Sequence, residues 1–140
     1  MHDVLARANF ETDVANLSPV LATAYGLHVH AAAYPTLDVT IDHRRPLRVQ
    51  MRADNWDELP PSIDLMSAEG AIMNLNLPGG IFHTGPHPET GRPFVCMRGS
   101  LEYHRHSGHL NDHWDNYRGQ DGMGLIGILL QIAHAWRAHA

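Results

Sequence analysis

The sequence predicts an α+β domain, with helices packed on a four-stranded antiparallel meander. Three observations carry this: apolar residues recur at helical spacing near the beginning, switch to alternation at Leu27, and return to helical spacing after Asp121. In the opening segment Val4, Leu5, Ala8, Val14 and Leu17 trace a helix. Ser18-Pro19 then reads as an N-cap and first-turn proline starting a second short turn that ends near Gly26.

From Leu27 the apolar period is two. Leu27, Val29 and Ala31 alternate with His28, His30 and Ala32, and Leu37, Val39 and Ile41 alternate with Asp38, Thr40 and Asp42, giving two strands joined around Tyr34-Pro35. The charged turn at 42–46 leads into a third strand, Leu47, Val49 and Met51. Leu59-Pro60-Pro61 excludes central sheet because proline has no amide donor, so Ile63 and Leu65 belong to a fourth, edge-like strand. The segment from Ser67 to Met97 is rich in Gly and Pro, and a loop of that length in a compact domain is expected to cover a site. Past Trp114, a closing helix begins near Asp121 and carries Leu125, Ile128, Leu129, Ile132 and Trp136 on one face. Trp56, Trp114 and Trp136 read as core packing.

Composition limits the function classes. The 140 residues form one domain, 1–140, and with 44% hydrophobic and 18% charged residues the chain is expected to fold without staples. A formal charge of -5 argues against gripping a phosphate backbone, so nucleic acid is not an expected partner. The longest apolar run, Leu125 to Ile132, falls far short of the roughly 20 residues that span a bilayer, and a membrane is not expected either. A single cysteine forms no internal disulfide and the start lacks a signal-like apolar region, which together predict a cytoplasmic location.

Twelve histidines are present, and His83, His87, His104, His106, His109 and His113 fall in one 31-residue stretch around the lone Cys96. All ten cations are Arg. Two chemistries fit this stretch. Cys96, on a Gly/Pro-rich approach and next to Met97-Arg98-Gly99, has the setting of a nucleophile, and Arg98 or a protonated His would raise its thiolate fraction. Ser100 is a second candidate nucleophile if His104 or His106 takes its proton, and otherwise a turn residue. Alternatively, Cys96, Glu102, His104 and His109, with His106 and His113 near, offer donors for zinc; His104 and His106 would share one side of a strand and His109 and His113 one face of a helix. Metal on Cys96 would remove the nucleophile, so the readings compete for one atom. His87-Pro88 reads as a structural turn with the imidazole on loop backbone. Glu102 is a ligand, a base or an exposed carboxylate.

The order of elements, the approach Leu59-Pro60-Pro61-Ser62-Ile63, then Phe82-His83, His87-Pro88-Glu89, Gly91 and Val95-Cys96-Met97, with Trp114 and the closing helix downstream, resembles ubiquitin-conjugating enzymes over about 100 residues. Glu89 stands where that family has an Asn, and Trp114 lies eighteen residues after Cys96, farther than usual. The stretch Cys96 to His106 is also similar to a bacterial family predicted to bind metal, named for its Cys, Glu, His, His motif and found in operons with ubiquitin-like proteins and their activating enzymes. The resemblance implies a UBC-like fold and catalysis by Cys96 with His87 in the neighbouring turn. It implies a ubiquitin-like modifier and its activating enzyme as partners, with no cofactor except zinc in the alternative, and a role in antiphage defence. The absence of lysine fits a carrier of activated acyl groups, which would otherwise modify itself.

Overall fold

A computed structural model describes residues 2–73 and 77–140. Two helices open the chain, α1 (Asp3–Val14) and α2 (Pro19–Ala24), the latter capped by Ser18 Oγ, which accepts from the Leu21 amide. Four strands follow, β1 (Leu27–Ala33), β2 (Thr36–Ile41), β3 (Leu47–Arg52) and β4 (Ser62–Met66), hydrogen-bonded in sequence order as an antiparallel meander. The period-two pattern thus reports the whole sheet. Leu37, Val39, Ile41, Leu47, Val49, Met51, Ile63 and Leu65 line the core face, each almost fully buried.

On the outer face, Asp38 remains buried because Arg48 donates to both its oxygens, at 2.9 and 2.7 Å, and the guanidinium holds its carboxyl below the usual range. The edge at β4 is closed by the chain itself. After Met66 it turns back, Ile72 bridges Met66, and the Met73 amide donates to Leu65.

The segment from Ser67 to Met97, of which 74–76 lie outside the described residues, is not structureless. It forms a two-stranded hairpin, β5 (Phe82–His83) and β6 (Phe94–Val95), held against the core by Phe82 and Val95. A five-residue helix, α3 (Leu101–Arg105), follows, then single 3-10 turns at Ser107–His109 and Trp114–Asn116. The closing helix α4 (Leu125–His139) starts four residues after Asp121, because Gly122 at φ +80 lies outside right-handed helical backbone, and its N-cap Gly124 has no side chain to cap it. Asp13 of α1 supplies the cap instead, accepting from the Leu125 amide at 2.9 Å. Leu125, Ile128, Leu129, Ile132 and Trp136 of α4 fill the core as their spacing predicts, and Trp136 Nε1 donates to the Arg45 carbonyl. The three tryptophans are all buried. Among the described residues no helix is long and apolar enough to cross a membrane.

One glycine in α4 is set by close approach. A Cβ on Gly127 would lie 2.7 Å from the Gly122 carbonyl oxygen, in backbone that has no flexible end to move. Replacing an interior helix glycine by alanine ordinarily stabilises by about 1 kcal/mol. Here Gly127→Ala is expected to destabilise by about 1–3 kcal/mol through overpacking, read from the urea midpoint; a gain in stability would contradict the packing described.

Candidate functional site

The site is assembled where β6 hands the chain to α3. Cys96 follows β6 directly, and its amide donates to the Ile81 carbonyl at 2.6 Å, which ties the thiol-bearing residue to the start of the hairpin, just before β5. Gly99, at φ +102, reverses the chain in a region that other residues rarely adopt, and a Cβ there would meet Ile128 at 3.0 Å. Ser100 then caps α3: its Oγ accepts from the Tyr103 amide and donates to the Val95 carbonyl at 2.7 Å. With a fully buried side chain so engaged, Ser100 is placed as the helix cap and not as a nucleophile open to substrate.

Residues 101–105 are helical, not the extended strand suggested for His104 and His106. The Ser100 cap and the docking of α3 on β4 decide this. Leu101 donates its amide to Pro61, and the Ile63 amide donates to Glu102 Oε1 at 2.6 Å. Glu102 is therefore buried, and desolvation pushes its carboxyl up to about 7 despite the backbone donor. His87, also buried, joins the same anchor: Nδ1 accepts from the Glu89 amide at 3.1 Å and Nε2 donates to the Glu102 carbonyl at 2.7 Å. The turn role read for His87-Pro88 matches these backbone bonds.

His104 Nε2 accepts from the Gly99 amide at 3.0 Å and its Nδ1 donates to the Asp112 carbonyl at 2.7 Å. Burial lowers its pKa, which favours the neutral ring those two bonds require. His106 caps the next turn and stacks on Phe94; burial and the neighbouring His109, His87 and His83 hold it below its usual value. His109 ends the first 3-10 turn and His113 precedes the second in extended backbone, so no common helix face unites them.

One pair of candidates meets. Cys96 Sγ lies 3.6 Å from His109 Nε2, within hydrogen-bond reach for a thiol donor. The His109 ring is stacked on Tyr103 with centroids 4.1 Å apart. Tyr103 in turn donates its hydroxyl to Asp112 Oδ2 at 2.5 Å, Arg98 Nε donates to the same oxygen at 3.0 Å, and the Tyr117 hydroxyl donates to Oδ1. The two phenols and the guanidinium drive the Asp112 carboxyl well below the usual range. Burial pushes the Cys96 thiol up, which favours its protonated form.

Tyr103, Asp112 and Tyr117 went unread in the sequence. The available signal was the interleaving of Tyr103, Asp112, Asp115 and Tyr117 with the histidines. The zinc quartet Cys96, Glu102, His104 and His109 is not gathered: Glu102 and His104 face backbone partners, and among the described residues no three metal-ligating side chains form a group. Beside Cys96, Ile81, Met97, Leu130, His134 and Ala135 line an apolar groove of about 400 Å³. No protein-family model matches the chain, and no curated protein matches it.

Glu102 ties stability to pH. A carboxyl raised to about 7 from 4.5 binds a proton in the folded state that the unfolded chain releases, so the contribution is present below pH 4.5 and is lost as pH rises through 7. The interval corresponds to about 3 kcal/mol. Glu102→Gln retains the acceptor for the Ile63 amide, so its unfolding midpoint is expected to fall less than the parent's between pH 5 and 8. Parallel pH profiles would contradict the buried carboxyl.

Proposed function

We propose that the chain is the transfer component of a ubiquitin-like conjugation pathway, acting in the cytoplasm, with Cys96 carrying the C-terminal acyl group of the modifier as a thioester. The observation that carries this reading is the Cys96–His109 pair at 3.6 Å on a partly exposed loop, next in the chain to Met97, which lines the apolar groove. The α+β order, the resemblance of the stretch around Cys96 to ubiquitin-conjugating enzymes, and the lack of lysine add support.

The chemistry follows from the resting state. A free thiol near pKa 8.5 is about 3% ionised at pH 7, and a raised one less, so Cys96 needs a base when the donor arrives. As Sγ attacks the donor thioester carbonyl, His109 Nε2 takes the thiol proton. The new C–S bond forms, the donor's C–S bond breaks, and His109 returns the proton to the leaving thiolate. In delivery, an amine attacks the Cys96 thioester, His109 accepts the amine proton, and Sγ leaves with it. Both thioesters have nearly the same energy, so positioning in the groove matters more than driving force.

A small donor tests this without the natural partners. With a glycine-terminated peptide benzyl thioester, intact mass is expected to show one acyl adduct that hydroxylamine removes. Cys96→Ser is expected to form no thioester, and His109→Ala to slow acylation by about 10²–10⁴-fold. Alkylation of the fully ionised thiol at high pH is expected to stay unchanged in His109→Ala, which separates proton transfer from access. Unaltered acylation in His109→Ala overturns the mechanism. A bound zinc in the purified chain that disappears in Cys96→Ser overturns the nucleophile itself.

A further inference from the structure

The two edges of the main sheet are treated differently. The β4 edge is bridged by the returning chain, whereas β1 is hydrogen-bonded only to β2 and leaves His28 to Ala33 exposed on both faces of the strand. An open edge presents a row of unpaired amides and carbonyls, and natural proteins usually blunt it with charge or proline. β1 carries neither: Leu27-His28-Val29-His30-Ala31-Ala32-Ala33 has no Lys, Arg, Asp, Glu or Pro, and its one edge device is a register shift between Val29 and Ala31. The neutrality extends further. From Val14 to Leu37 the chain has no Asp, Glu, Lys or Arg, although its net charge is -5.

That uncharged run folds into α2 and β1, which pack on each other. It also exposes Val20, Leu21, Tyr25 and Val29, half of the large hydrophobic residues that are exposed among the described residues. The rest of the sheet's outer face is charged, with the Asp38–Arg48 and Asp64–Arg92 pairs. An acidic chain meeting its own copy is repelled wherever carboxylates face each other, and the 14–37 run brings none to the open strand edge. The backbone edge selects a strand, and the neutral flank selects against a charged partner.

We propose that two copies of this chain associate through β1, paired antiparallel about a two-fold axis into one eight-stranded sheet, with Val20, Leu21 and Tyr25 of each α2 covering the junction. An isologous contact needs a self-complementary surface, and an uncharged strand flanked by small alanines meets that requirement in either copy. The strand ladder supplies register and the α2 side chains supply the apolar area that a stable interface needs. The proposal is independent of the chemistry at Cys96.

Sedimentation velocity of the intact chain from about 1 to about 200 µM is expected to show a shift from one chain mass to two. Amide exchange at 28–33 is expected to slow at the high end of that range. Ala31→Glu on the edge and Val20→Glu on α2 replace exposed side chains, so each is expected to retain the parent's thermal midpoint and to weaken the dimer at least tenfold. A single chain mass at every concentration overturns the proposal, as does a dimer that survives both substitutions.

Discussion

The candidate site depends on holding a five-residue helix in place. Helices this short do not persist by themselves, because nucleation costs more than so few hydrogen bonds return. α3 is held from outside at each end of its first turn: Ser100 Oγ reaches back to Val95, the Leu101 amide reaches Pro61, and the Glu102 carboxyl takes the Ile63 amide. His87 closes the arrangement on the Glu102 carbonyl. Burying a carboxyl for this purpose is costly, and the upward shift of Glu102 is the physical trace of that cost. The prolines before β4 take part, since Pro61 has no amide to offer the sheet yet lends its carbonyl to α3.

With α3 fixed, the imidazole beside Cys96 is placed by a second set of contacts. Tyr103 projects from the helix to stack on His109, and its hydroxyl is held by Asp112, which Arg98 and Tyr117 also engage. A carboxylate with three donors is strongly held in its ionised form, so it fixes the 107–117 segment without offering a base of its own. The division of labour is between anchors and the reactive pair. Ser100, Glu102, His104 and Asp112 are consumed by structural hydrogen bonds, and Cys96 with His109 is the pair left facing one another.

β2, β3 and β4 were legible because burial on one face imposes a period of two, whereas β1 alternates in sequence yet buries only Leu27. α4 was legible for the same reason at helical spacing, though its first residue was not, since its cap comes from Asp13 more than a hundred residues away. The helix at 101–105 was not read in the stretch around Cys96, taken as irregular, because five residues span little more than one turn and carry no period of either kind. Cys96 and His109 were both named from sequence, yet their pairing was not, because it depends on how the 3-10 turn at 107–109 folds back over α3. Side chains whose role is set by such non-local contacts look identical in sequence to solvated ones.

The resting state of Cys96 bears on the kind of chemistry the reading requires. A low-pKa thiolate is a good nucleophile but also a good leaving group, and it reacts with any accessible electrophile. A thiol held protonated by burial reacts only when a substrate places its carbonyl next to Sγ and the proton has somewhere to go, which here is His109. With no lysine in the chain, the ε-amines that would compete with an incoming acceptor are absent, and the imidazole that could activate one is already positioned at the sulfur. Under the proposed function, reactivity at Cys96 is conditional on docking, which suits a carrier of an acyl group between two partners.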